Sequence, residues 1–135
     1  MTEKTLDVII TGYYPSNDAM EGGFEDCFGN PLRTLSDYDR NSPKHSYVSL
    51  AVDPKVIPKR SHINIEGFKD KDDVPVLFYA CDVDYLIKGN QVDICCGSKE
   101  QSELIDSNGE KRKLYILKDW FINHLKSLLI NSKNI

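Results

Sequence analysis

Apolar positions along this chain alternate more often than they recur at helical spacing. Thr5–Tyr14, reading TLDVIITGYY, mixes β-branched and aromatic residues and predicts a first strand. Tyr47–Val52 alternates and predicts a second, which ends on Asp53-Pro54. His62–Ile65, Val76–Cys81, Gln91–Cys96 and Lys113–Leu117 predict four more. Between the first two strands lie some thirty irregular residues, punctuated by Gly22-Gly23, Gly29-Asn30-Pro31 and Asn41-Ser42-Pro43. Within them Leu32, Leu35 and Tyr38 stand at helical spacing and predict a short helix over Pro31–Asp39. Ser98–Ser102 predicts one helical turn, and Asp106–Gly109 a reverse turn. Asp119 caps a predicted C-terminal helix over 119–131, with Trp120, Phe121, His124, Leu125, Leu128 and Leu129 as its apolar stripe.

Short strands with long irregular connections point to a small β-barrel rather than a βαβ sheet. At 135 residues the chain is one domain with enough length for a real core. Its barrel is expected over about 5–14 and 47–118. A net charge of −4 and scattered basic residues offer no footprint for nucleic acid. No apolar run reaches the length of a transmembrane span, and MTEKTLDVII shows no signal-peptide core. That leaves localisation open, at the cell wall if the chain is a wall-cleaving enzyme. The four cysteines form no CxxC pair and no histidine stands at zinc spacing, so neither metal nor other cofactor is expected. Cys95 and Cys96 are adjacent, so in a strand they face opposite ways.

The chemistry concentrates in Ala80–Ile94, ACDVDYLIKGNQVDI. Two apolar runs each carry an aspartate, and Lys88-Gly89-Asn90 has the turn chemistry to bring them close. A carboxylate in a half-buried strand is costly unless it is bonded. Strand parity places Val92 and Ile94 in the core and Asp93 on the opposite, wetter face. Asp82 ends one run and Asp53 ends another. Three such carboxylates at a common end would keep one protonated near neutrality, as a general acid requires. Glycosidic bonds are the substrates most often opened by carboxylates alone. Tyr13, Tyr14 and Tyr47 are candidates to line a sugar groove.

Four stretches carry a resemblance: Ala51–Pro58, Ala80–Val83, Ile87–Ile94 and Leu114–Lys118. They are similar to the 3D (Asp-Asp-Asp) domain, a double-psi β-barrel of bacterial cell-wall enzymes such as membrane-bound lytic transglycosylase A and stationary-phase muralytic factors. The opening TGYYPS resembles that family's first strand. The resemblance implies a six-stranded double-psi barrel that cleaves peptidoglycan or a related glycan. It implies Asp93 as catalytic acid and then base, with Asp82 and Asp53 fixing and tuning it. Tyr13, Tyr14, Lys88, Asn90 and Asp84 would contact substrate. Two departures stand out. Asp84-Tyr85 occupy the place of the family's Gly-Gly, and Arg60 that of the glycine in its Pro-x-Gly-Thr turn. A non-catalytic carbohydrate or protein-binding module on the same barrel, and an inverting hydrolase, are the rival expectations. The C-terminal helix is the candidate surface for a protein partner.

Overall fold

The computed structural model describes residues 2–17, 23–109 and 111–118. Six strands close into a barrel: β1 (Thr2–Tyr13), β2 (Val48–Val52), β3 (His62–Ile65), β4 (Phe78–Val83), β5 (Gln91–Cys95) and β6 (Lys111–Leu117). Their order around the barrel is β1-β5-β2-β4-β3-β6. One helix, α1 (Lys99–Asn108), joins β5 to β6. The predicted helix over 119–131 lies outside the described residues.

Two neighbouring pairs are parallel, β1 with β5 and β2 with β4; the other four are antiparallel. This order is unchanged when β1–β3 are exchanged with β4–β6. The two halves of the barrel are therefore related by a pseudo-twofold axis running between β2 and β5. The sequence shows no repeat because the halves share pairing geometry rather than residues.

Inside, one face of each strand forms the core. Val8 and Ile10 meet Val48, Leu50, Val52, Ile63, Phe78, Ala80, Val92, Ile94, Cys96 and Leu114. Each fully buried Leu, Ile or Val side chain contributes roughly 1.5–3 kcal/mol of transfer free energy. Cys96 joins this core, whereas Cys95 faces outward with Tyr13, Ala51 and Leu32, as the parity of adjacent residues requires.

Three expectations need correction. Pro31–Asp39 is not a helix but an irregular segment with one turn. Its backbone groups go to the barrel instead: Arg33 N–H donates to Ser49 Oγ, and Leu35 N–H to the Cys95 carbonyl. Tertiary pairing there outweighs the helical spacing of Leu32, Leu35 and Tyr38. The strand predicted over Val76–Cys81 begins at Phe78 and runs on through Asp82 to Val83. Val76 pairs with the 67–75 loop through Phe68, and its carbonyl takes the Asn64 amide. Finally, α1 spans ten residues where one turn was expected, and Asp106–Asn108 form its last turn. The Ser98 hydroxyl caps it by accepting from Gln101 N–H, and the Gln101 side chain accepts from Gly97 N–H. Gly109, at φ 49°, ends it.

Helix α1 lies against β1 at Gly12. A Cβ added there would stand 2.9 Å from Ser102 Cα. Gly12→Ala is expected to cost about 1–3 kcal/mol, because the obstacle is helix backbone. Chemical denaturation checks this; an unchanged midpoint would show that α1 shifts freely.

Candidate active site

Ala51 is the reference point. On one side it pairs with Asp93 of β5, and on the other with Asp82 of β4. Beyond Asp93, Thr11 of β1 completes the row. Residues at one register level point to the same side of a sheet, here the outside of the barrel. The row therefore reads Thr11, Asp93, Ala51, Asp82. Two aspartates flank one small side chain, with Cα atoms about two interstrand spacings apart, roughly 9.5 Å.

Pseudo-symmetry makes Asp82 the counterpart of Thr11 and Asp93 the counterpart of Ala51. Both carboxylates thus come from the second half of the barrel. A second asymmetry accompanies them. Leu50 pairs with Ala80 but Ala51 with Asp82, so Cys81 is an extra, bulged residue with no counterpart in β1. Its carbonyl accepts the Cys27 N–H of the loop that crosses the outer face.

Thr11 Oγ1 lies 3.0 Å from Asp93 Oδ1 and 3.2 Å from the Val92 carbonyl. Asp93 has the predicted parity, but it is 8% exposed, so the expectation of a wet face is corrected. The outer face is not open here because the 23–47 loop covers it, with Leu32 seated on Tyr13, Ala51 and Cys95.

Asp82 is half-buried, and it sits inside β4 rather than at the end of a strand. Tyr13 Oη donates to its Oδ2 at 3.0 Å, and Val83 N–H to its Oδ1. Its carboxyl is held above the ordinary range, first by burial and then by the charges of Asp26 and Asp84, against those two hydrogen bonds. Tyr13 is itself buried, and burial raises its phenol. It works as a donor to Asp82 rather than as an open sugar platform.

Asp53 follows β2 and is spent on the backbone. It accepts Gly89 N–H at 2.8 Å and Lys55 N–H at 3.0 Å, and its carbonyl accepts from Val56 and Ile57. These bonds, the Gly89 one foremost, hold its carboxyl below the usual range, with Lys88 and Lys55 assisting. The β4–β5 connection passes over the end of β2, so the two apolar runs of the sequence flank β2 instead of pairing with each other. Asp53 pins that crossing at Gly89, whose φ is +67°.

The remaining candidates are scattered. Asn90 donates its side-chain amide to the Asp7 carbonyl, tying β5 to β1. Asp84 Oδ1 accepts Leu86 N–H and so closes its own turn, from which Tyr85 and Leu86 project into solvent. Lys88 is exposed beside Asp53, and Tyr14 is half-exposed just past β1. The two lost glycines differ in consequence. Among described non-glycine residues only Arg60 and Asp73 have positive φ, at 74° and 63°. Arg60 thus keeps the backbone of a glycine, and its guanidinium rests 3.9 Å from the centre of the Phe28 ring. Asp84-Tyr85 need no such conformation. Thr11 and Asp26 were missed in the sequence. The parity of Thr5–Tyr14, which sets Thr11 and Tyr13 opposite Ile10, was the signal for Thr11.

Three cysteines, Cys81, Cys95 and Cys96, are buried and Cys27 is exposed; all four are free thiols. Burial pushes Cys81 up to about 12 and raises Cys95 and Cys27 as well, so none of these three is an activated nucleophile. Among the described residues no group of His, Cys, Asp and Glu is arranged to hold a metal ion. No described helix is long and apolar enough to cross a membrane.

No protein-family model matches the chain, and no curated protein is similar to it. Among solved structures it is similar to the lytic transglycosylase LtgG of Burkholderia pseudomallei, at 23% identity and a TM-score of 0.43. The alignment covers 76% of this chain and 27% of that one, so the chain spans about a quarter of that protein's length.

Asp82 and Asp53 carry opposite pH signatures. A carboxyl raised in the folded state disfavours folding once pH passes its unfolded value, and the penalty is complete above its folded value. Asp82→Asn should therefore raise Tm relative to the parent at pH 7, with the gain vanishing below about pH 3.8. Asp53 is lowered, so its stabilisation is full above its unfolded value and is lost as pH falls through the folded one. Asp53→Asn should lower Tm at pH 7. Thermal melts across pH check both; a Tm loss at pH 7 for Asp82→Asn would contradict the first.

Proposed function

We propose that this barrel cleaves peptidoglycan glycan strands in the manner of a lytic transglycosylase. The observation that carries the reading is the row Thr11, Asp93, Ala51, Asp82, which sets two carboxyl groups on one face with a small residue between them. The resemblance of the surrounding stretches to 3D domains supplies the substrate class. The pseudo-twofold strand order, with its two parallel pairs, supports reading the barrel as the double-psi type.

Asp93 is the acid and then the base. It gives its proton to the glycosidic oxygen, and the bond from that oxygen to the muramic acid C1 breaks. The sugar's own 6-hydroxyl then attacks C1, and the Asp93 carboxylate takes the proton released. A 1,6-anhydro end forms and no water is consumed. Thr11 holds one Asp93 oxygen and so fixes the orientation of the carboxyl group. Burial raises the Asp82 carboxyl, which weakens its tendency to carry a second negative charge beside Asp93. Asp53 fixes the crossing loop that leads into β5. The resemblance assigns glycan contacts to Tyr14, Lys88 and Asp84, which lie apart from one another around the row.

A second reading follows from the same row. In an inverting hydrolase one carboxyl protonates the leaving oxygen while another, about 6.5–9.5 Å away, activates water. Asp82, with its raised carboxyl, would be that acid and Asp93 the base.

Incubation with purified peptidoglycan separates the readings by product mass. Soluble muropeptides with 1,6-anhydro ends are expected, and Asp93→Asn should lower their release by roughly 10²-fold or more. Reducing ends would favour the hydrolase. No soluble product, with saccharide binding that survives Asp93→Asn, would leave a binding module.

A further inference from the structure

The loop that crosses the outer face brings another carboxylate to the row. Cys27 N–H donates to the carbonyl of bulged Cys81 at 3.1 Å, which sets Asp26 beside Cys81 and Asp82. Asp26 is 6% exposed. Its Oδ1 accepts Phe28 N–H at 2.9 Å and Asn30 N–H at 3.0 Å, which folds the 26–30 turn around it. Its Oδ2 is buried and receives no N–H or O–H donor, and the Cys81 thiol is the side-chain partner of the carboxylate. A buried carboxylate held only by its own turn and a weak thiol donor is expensive.

We infer that Asp26 is a positioning residue that acts on Asp82 from the crossing loop. The inference rests on the proposed glycan cleavage for its meaning but not for its test. The groups facing Asp82 come from every element around it: Tyr13 from β1, Asp26 and Cys27 from the crossing loop, Asp84 from the following turn and Cys95 from β5. Lys59 is the cation beside Cys27. Asp26 and Asp84 are the carboxylates acting on Asp82, and the charge of Asp26 acts more strongly. Asp84 is half-buried, whereas Asp26 is buried against Cys81. Low local dielectric strengthens repulsion, and a charge that water cannot screen stays effective in salt. In this arrangement the loop does more than cover the row; its carboxylate adds to the burial that raises the Asp82 carboxyl.

The test is a carbon-detected NMR titration of the Asp82 carboxyl in the full chain. Asp26→Asn keeps an acceptor for Phe28 and Asn30 and removes the charge; Asp26→Ser keeps an acceptor for Phe28 and serves if the first variant does not fold. Either should move the Asp82 midpoint to lower pH. An unmoved midpoint would overturn the inference. So would an Asp84→Asn variant that alone returned Asp82 to the ordinary carboxylate range. If the parent cleaves peptidoglycan, Asp26→Asn should also move the alkaline limb of its activity to lower pH. If the parent does not cleave it, the proposed function fails, and the titration still decides the role of Asp26.

Discussion

β2 is hydrogen-bonded on both edges, parallel to β4 and antiparallel to β5, and all five of its residues are buried. This double pairing fixes the site. Once Ala51 is paired on both sides, Asp82 and Asp93 have no choice of level or face. A slip of one residue on either side would turn a carboxylate into the barrel core, where no partner waits for it. The apolar set of Leu50, Val52, Val92 and Ile94 therefore holds the register that the two carboxylates depend on.

The site gains its asymmetry against a symmetric frame. The pseudo-twofold relation gives each half of the barrel the same pairing, yet only the second half contributes carboxylates to the row. The Cys81 bulge occurs in that half alone, next to Asp82. Bulges re-aim side chains beside functional sites, and this one also frees a carbonyl that anchors the crossing loop. Loop, bulge and carboxyl then form one unit. The loop shields Asp82 and Asp93 from water while the backbone bonds of Asp53 secure the opposite crossing.

Much of the frame was legible in the sequence. Alternation in YVSLAV and QVDIC located β2 and β5, and parity correctly separated Cys95 from Cys96 and Asp93 from Val92 and Ile94. Parity says which way a side chain points but not what lies above it, so the burial of the row under a loop more than forty residues before Asp93 was hidden. The same limit explains Pro31–Asp39. Its helical spacing is real, but its donors are claimed by Ser49 and the Cys95 carbonyl, contacts with no local signature. The turn chemistry of Lys88-Gly89-Asn90 suggested that the two apolar runs meet. A sequence reading had no means to see β2 inserted between them. Arg60 shows the converse, a residue whose backbone follows the glycine pattern although its side chain does not.

The central claim is that a glycan reaches the row from its half-buried end at Asp82, beside Ala51 and Asp93. Amide chemical-shift mapping of the Asp93→Asn variant with an uncleaved peptidoglycan fragment addresses it directly. The account predicts that the largest shifts fall on Thr11, Ala51, Asp82 and residue 93, with smaller ones at Asp84 and Lys88. Shifts confined to the far side of the barrel, around β3 and β6, would contradict it.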